Sequence, residues 1–267
     1  MQSGIPILPP EILLLIARLL GPWDLIHLAR AIPGMERLYK PKYWVPIKDE
    51  AGDTMFHKAA TEGCIDIIES LLSKDFDLSI PNYRGYTALH CACQGGQYNI
   101  ARLLLDSGLG PDISARGEVR ALNLAVHGQD VQLVRLLLEN QADISMRTAG
   151  DYSILHWSAS TQDSSITKAL LKEGADLTKE DVFGRTPLHW AAAEGNMEIV
   201  MLFLKAGSNP FSIDHDGNTA ADIAEQQGFL STAKRIGNSQ PPLKSLHSLL
   251  DVLSEFYENL GRVLGWV

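Results

Sequence analysis

Four histidines recur at one position of a regular pattern, and imidazole is the side chain most often used to bind metals and to transfer protons. They are His57, His90, His156 and His189, and the interval from His57 to His90 recurs from His156 to His189. In a stack of equal layers they would fall one per layer rather than converge on one ion. His90 and Cys93 form an i, i+3 pair, but no second pair of ligands lies nearby in the sequence. The pattern therefore predicts no metal site and no bound cofactor.

A second group of residues has the chemistry of acid–base catalysis. His127, Asp151, Tyr152 and Asp181 lie where the repeating pattern is least regular, and such departures often mark functional positions. Two or three titratable groups in a sheltered pocket are enough for proton transfer to a small organic molecule. No nucleophile elbow, phosphate loop, zinc spacing or dinucleotide fingerprint occurs. An enzyme is therefore the alternative hypothesis, and the primary prediction is that no residue is catalytic.

The elements that must position these side chains repeat at one constant interval, without insertion or deletion. Each copy has a polar first residue, small residues within one helix length, and two apolar pairs further on, which predicts two short helices per copy. Thr or Ser at the start caps the first helix, and Pro187 suits its first turn. The copies start at Thr54, Thr87, Arg120, Ser153, Thr186 and Thr219.

This pattern resembles the ankyrin repeat, most clearly over residues 181–192, where Thr186, Pro187, Leu188 and His189 follow one another. The resemblance implies an all-α solenoid of six repeats over residues 49–237. We expect their bounds at about 50–82, 83–115, 116–148, 149–181, 182–214 and 215–237. One such unit cannot bury its own apolar face, but stacked units can.

An ankyrin array also implies a concave surface of finger loops and first helices that binds another protein. Aromatic and arginine side chains at such positions are typical binding anchors. The predicted target-binding residues are Tyr83, Arg84, Tyr86, Arg116, His127, Tyr152, Phe183, Arg185 and Glu194.

Residues 1–48 predict a separate unit of three short helices. The segment resembles an F-box, with the pattern carried by Leu-Pro-x-Glu-Ile at residues 8–12, by Ile16 and Leu19, and by Asp-Leu at residues 24–25. The resemblance implies binding to the Skp-type adaptor of a cullin-based ubiquitin ligase. The residues it assigns to that contact are Leu8, Pro9, Ile12, Ile16 and Leu25.

Together the two resemblances imply a substrate-recognition subunit, with the head on the ligase adaptor and the ankyrin groove on a protein target. Ubiquitin transfer would then be performed by other subunits. Two alternatives remain open at this point. The head, which is too small to enclose a core of its own, could serve only as a cap on the first repeat, and the chain could be a scaffold without a ligase role.

Residues 238–267 predict an amphipathic helix that follows Pro241 and Pro242. Its apolar residues are spaced alternately three and four apart, which forms a heptad seam. We expect this helix to pack on the body of the protein, with dimerisation or partner docking as alternatives. The seam residues are Leu243, Leu246, Leu250, Leu253, Tyr257, Leu260 and Leu264.

The overall composition restricts the partners and the compartment. The chain has 267 residues, of which 45% are hydrophobic, and a formal net charge of −9, which disfavours nonspecific binding to nucleic acid. Residues 1–48 hold six bases and three acids, so the negative charge lies in the repeats. Three cysteines, no Asn-x-Ser/Thr sequence and no long apolar run predict a cytoplasmic or nuclear protein that does not bind membranes.

Overall fold

The structure is a computed structural model that describes residues 15, 19–31, 47–72 and 77–239. These residues carry thirteen α-helices and one short 3₁₀ turn, and the only β-pairing among them consists of isolated bridges. The prediction of an all-α fold is therefore confirmed. Backbone contacts divide the chain into two compact units, Met1–Asp143 and Ile144–Val267.

In the first unit, one helix precedes three helix pairs. Helix α1 packs on α2, the first helices α2, α4 and α6 pack side by side, and the second helices α3, α5 and α7 form another row. The helices are α1 (Pro22–Ala31), α2 (Met55–Glu62), α3 (Ile65–Leu72), α4 (Ala88–Gln94), α5 (Tyr98–Asp106), α6 (Ala121–His127) and α7 (Val131–Glu139), with the 3₁₀ turn at Arg116–Glu118.

The second unit repeats this arrangement with three more pairs. Its first helices α8, α10 and α12 pack in one row, and its second helices α9, α11 and α13 in another. The helices are α8 (Ile154–Ala159), α9 (Ser164–Lys172), α10 (Pro187–Ala193), α11 (Met197–Lys205), α12 (Ala220–Gln226) and α13 (Leu230–Gly237).

Burial explains the residue types of the two rows. The second helices are strongly amphipathic and hide aliphatic and aromatic side chains such as Ile67, Leu104 and Phe203 completely, each contributing roughly 1.5–3 kcal/mol. In the first helices, fully buried alanines, among them Ala92 and Ala191, leave room for neighbouring backbones to approach. The six predicted repeats thus supply six helix pairs.

Some predicted elements lie outside the described residues. They include most of the first and all of the third helix of the head, and the C-terminal helix. The second predicted helix of the head is present as α1, and the division between the two units falls inside the predicted third repeat, 116–148.

The middle of the chain keeps the backbone shape of a repeat without its glycines. Positions equivalent to turn glycines are held by Glu118, Gln129, Gln141 and Asp151, which have φ values of 60°, 56°, 63° and 60°. A left-handed conformation costs such residues roughly 1–2 kcal/mol each. The third and fourth repeats, which depart most from the common sequence, therefore carry the local strain.

Two glycines in the finger loops of the second unit have the same backbone conformation but different surroundings. Gly184 has φ 74°, and Gly217, at the equivalent position of the next repeat, has φ 81°. A Cβ on Gly184 would lie 2.7 Å from the His215 ring and 3.1 Å from its backbone nitrogen, whereas a Cβ on Gly217 would meet no atom within 4 Å.

Replacing each of these glycines by alanine separates backbone strain from crowding. We expect Gly217→Ala to lower the free energy of unfolding by about 1 kcal/mol and Gly184→Ala by about 2–3 kcal/mol. The difference arises because only Gly184→Ala also displaces a neighbouring loop. Urea denaturation followed by tryptophan fluorescence measures both. Equal losses in the two variants would contradict the loop contact.

Candidate functional site

Each recurring histidine ties its own helix to the next finger loop. The Nδ1 atom of His90 accepts a hydrogen bond from the backbone N–H of Thr87 at 3.2 Å and lies 3.0 Å from the Thr87 hydroxyl. Its Nε2 atom lies 3.3 Å from the carbonyl oxygen of Val119. Equivalent contacts are made by His57 with Tyr86, His156 with Arg185, and His189 with Asn218.

These contacts require neutral imidazole. Because Nδ1 accepts a backbone N–H, the ring proton lies on Nε2, which donates to the carbonyl of the next loop. Burial lowers the pKa of His90 to about 4, and it also lowers the pKa values of His57, His156 and His189. Both ring nitrogens are thus used within the fold. Over the part of the chain that the structure describes, no cluster of three potential metal ligands occurs.

The finger loops are closed by acidic or amide side chains at a fixed position. Asp181 Oδ1 accepts from the N–H groups of Phe183 and Arg185, both at 2.9 Å, and Asp49, Asn82 and Asp214 close their loops in the same way. The loop tips are therefore held in place before any partner binds.

Neighbouring loops are also joined by backbone hydrogen bonds. In the first unit, the N–H of Tyr83 donates to Ala51 O at 3.1 Å and the N–H of Arg116 donates to Arg84 O at 3.0 Å. In the second unit, His215 N–H donates to Phe183 O at 2.9 Å. These bonds fix the spacing of the tips and leave the exposed tip side chains available to a partner.

In the first unit, the predicted target-binding residues form an exposed basic and aromatic surface. Tyr83 is 56% exposed, and the Lys48 ammonium lies 5.6 Å from the centre of its ring. Arg84 and Arg116 are exposed on adjacent tips, and His127 is exposed at the end of α6.

Tyr86, also predicted for this surface, is half-buried. Its ring stacks on the His90 imidazole with centroids 5.3 Å apart. This tyrosine therefore supports the histidine contact and offers only part of its side chain to a partner.

In the second unit, the predicted target-binding residues include an exposed phenylalanine beside an arginine. Phe183 is 54% exposed, the Arg185 guanidinium lies 5.7 Å from its ring centre, and Arg185 Nε donates to Asp214 Oδ2 at 3.2 Å. Glu194 is exposed. Tyr152 is half-buried, with its ring edge to face with Trp190 at 5.1 Å.

Sequence reasoning missed further apolar residues beside these tips. Ile213 is 60% exposed, and Phe211 and Met146 are also exposed. Their placement in otherwise polar loop segments next to the finger positions could have identified them from the sequence. They extend the apolar surface that Phe183 begins.

The four residues of the enzymatic hypothesis have different roles. Asp181 is buried, and both of its oxygens are used, one by the loop N–H groups and the other by Trp190 Nε1–H at 3.0 Å. Asp151 is paired with Arg147 at 3.3 Å on the surface. His127 belongs to the first unit, whereas the other three belong to the second. A cleft of about 160 Å³ in the second unit is lined by other residues, including Ser145, Ser153, Asp176 and Lys179.

The residues predicted to contact the adaptor are only partly described. Leu8, Pro9, Ile12 and Ile16 lie outside the described residues, and Leu25 is completely buried while its helix α1 packs on α2. Leu25 therefore presents no exposed surface to a partner. Among the residues of this region that the structure describes, Leu15, Leu19 and Trp23 are exposed apolar side chains.

Stacked helix pairs with hydrogen-bonded finger loops define a helical repeat protein. The family model of ankyrin repeats (3 copies) matches residues 28–117, 111–181 and 155–240. The chain belongs to the ankyrin-repeat family, as its repeat pattern predicted.

Solved structures that are similar to this chain include an ankyrin repeat domain and a chain of a bacterial complex. The ankyrin repeat domain of Bcl-3, described as a unique member of the IkappaB protein family, has 27% identity and a TM-score of 0.64, over 72% of this chain and 88% of that one. A chain in the complex of the Bd0816 predatory endopeptidase from Bdellovibrio bacteriovorus with immunity protein Bd3460 has 23% identity and a TM-score of 0.64, over 72% and 100%. The second likeness shows the fold alone. Comparison with curated proteins gave no match, and none of the described helices has the length and hydropathy to cross a membrane.

The neutral histidines make stability depend on pH. Their pKa values are lowered on folding, so the unfolded chain binds more protons between pH 6.5 and the folded-state value, and stability falls as the pH drops through this range. For His90, with a pKa of about 4, the loss amounts to about 3 kcal/mol by pH 4.

The variant His90→Asn tests this linkage. Asn123 caps the third repeat through its amide oxygen, so an asparagine at position 90 should keep the helix cap while removing the ring that titrates. At pH 7.5 the variant should be less stable than the wild type by about 1 kcal/mol, the value of the lost Nε2–H bond. Urea denaturation at several pH values should show this difference vanishing at about pH 6 and reversing below it. The exposed His215→Asn is the control, and a difference independent of pH in His90→Asn would overturn the assignment.

Proposed function

We propose that this protein is a binding adaptor that holds a protein target on its finger loops. One observation carries the proposal: aromatic and arginine side chains are exposed at loop tips that hydrogen bonds already hold in place. Such preorganised anchors lose little conformational entropy on binding. Membership of the ankyrin-repeat family supports a role for the repeats as a binding module.

Three exposed bases on or beside the finger loops of the first unit favour an acidic target. Arg84 and Arg116 are exposed on adjacent tips, Lys48 is exposed just before the preceding tip, and none of the three forms an ion pair within the described residues. Tyr83 lies near them, with the Lys48 ammonium 5.6 Å from its ring centre. Arginine binds carboxylates in a bidentate manner. The target segment therefore carries Asp or Glu residues beside an apolar or aromatic side chain.

A selection experiment tests this preference without knowledge of the target. Short random peptides displayed on phage and selected on the full chain should become enriched in acidic and aromatic residues. Selection on Arg84→Glu with Arg116→Glu should lose the acidic preference, since like charges repel. The matched control is Arg102→Glu with Arg135→Glu, two exposed arginines on second helices. The same enrichment on both double variants would contradict the proposal.

The finer proposal is that the head binds a Skp-type adaptor, so that the chain recruits targets to a cullin-type ubiquitin ligase in the cytoplasm or nucleus. The F-box resemblance supports this role, as do Leu15, Leu19 and Trp23, which are close together in the chain and exposed. The basic head would suit an acidic adaptor. Leu25 is not part of this contact, because it is buried.

A second candidate function rests on that burial. Leu25 and Ile26 are both hidden and α1 packs on α2, which is the arrangement expected of a cap on the first repeat. In this case the chain is an ankyrin scaffold without a ligase role.

Co-expression with a Skp-type adaptor distinguishes the two functions. A stable complex should form, and Leu15→Asp with Leu19→Asp should weaken it at least tenfold, about 1.4 kcal/mol, without change in thermal stability. Leu8→Ala with Ile12→Ala tests the contact that the resemblance implies. Leu230→Asp, at an exposed leucine of α13, is the control. Absence of a complex would favour the scaffold.

A further inference from the structure

The second unit has a cleft between α11 and α13 that takes no part in the proposed target binding. Its volume is about 340 Å³. It lies on the second helices, away from the finger loops that carry the exposed anchors. The lining residues are Met201, Leu204, Lys205, Gly207, Ser208, Pro210, Arg235, Asn238 and Ser239.

The chemistry of the cleft is apolar with a cationic edge. Met201 and Leu204 are half-buried and Pro210 is buried, whereas Lys205 and Arg235 are exposed. No carboxylate occurs among its described lining residues. Arg235 Nε donates to Met201 Sδ at 2.7 Å, and because a thioether is a weak acceptor, the guanidinium keeps donors for a stronger partner.

We propose that residues 243–264 of the same chain occupy this cleft as an amphipathic helix. The last described residue, Ser239, itself lines the cleft. Only Gln240, Pro241 and Pro242 separate it from Leu243, so Leu243 lies within about 14 Å of Ser239. A segment tethered this closely has an effective concentration on the order of millimolar, which favours it over a separate molecule.

The segment and the cleft are complementary in residue type. Leu246, Leu250 and Leu253 fall on one face of a helix by their spacing of four and three, and this face matches the apolar floor. Asp251 and Glu258 lie in one row with Lys244 at intervals of seven, on the polar side of such a helix, which would remain in contact with water. As a helix, the 22 residues would extend about 33 Å at 1.5 Å per residue, long enough to cross more than one helix of the outer row, since packed helices lie about 8–10 Å apart.

This docking would cover α13, the last described helix of the second row. The outermost helix pair of a repeat array has no further repeat against it, and arrays need a terminal element for solubility. The inference is independent of the proposed function, because it concerns neither the finger loops nor the head.

Disulfide trapping in the full chain tests the docking. Met201→Cys combined with Leu250→Cys should form an intramolecular disulfide under mild oxidation, detected by intact mass and peptide mapping, because docking brings the Cα atoms within roughly 4.4–6.8 Å. The native cysteines do not compete, since all three are buried and burial raises the pKa of Cys91 to about 12.

Two matched pairs serve as controls. Met201→Cys with Ser248→Cys places the tail cysteine on the opposite face of the helix, and Thr178→Cys with Leu250→Cys places the body cysteine on an exposed turn. We expect about tenfold less disulfide in both. Equal yields in all three, or disulfides only between two chains, would overturn the proposal; the latter result would assign the seam to a second copy.

Hydrogen exchange provides a readout that needs no cysteine. Leu250→Asp should speed amide exchange in Met197–Lys205 and Leu230–Gly237 by about tenfold or more, because undocking exposes the cleft, whereas Ser248→Asp should leave it unchanged. Unchanged amide exchange in a folded Leu250→Asp variant would overturn the proposal.

Discussion

The fold depends on an imidazole that makes a local and a nonlocal hydrogen bond at the same time. In four repeats, one ring nitrogen of the histidine caps the first helix of its own repeat, and the other donates to the carbonyl of the next finger loop. A side chain that satisfies only the cap leaves neighbouring repeats joined by packing and by the hydrogen bonds between their loops. In the sixth repeat, Asp222 makes only the cap contact, with Thr219, and the described residues contain no later finger loop for it to reach.

The repeat interval and the helix pairs could be predicted from the sequence because they follow from local rules. Thr87 and Ser153 mark helix starts, and apolar pairs such as Ile67 and Ile68 mark the buried side of second helices. The exposure of Tyr83, Arg84, Arg116 and Phe183 was also predictable, since these residues occupy loop tips. Because the same pattern recurs in successive repeats, each copy supports the helix assignment of the others.

Other features depend on the surroundings that a pattern does not specify. The apolar spacing of α1 marks a face to be covered, but the sequence does not say whether a repeat or a partner covers Leu25. The irregular pattern of the third and fourth repeats suggested functional divergence, whereas the backbone at Glu118 and Asp151 keeps the left-handed conformation of the other repeats. Asp181 was a candidate acid because of its place in the chain, and only its two sets of hydrogen bonds reveal a structural role.

The hydrogen bonds between neighbouring finger loops join backbone atoms, as between Arg116 N–H and Arg84 O. The outward side chains at these positions therefore contribute little to holding the loops together. Evolution can exchange one tip residue for another at small cost to folding, so the specificity of such a surface is free to drift rapidly while its architecture persists. Closely related chains of this family would then share a scaffold and yet differ in what they capture.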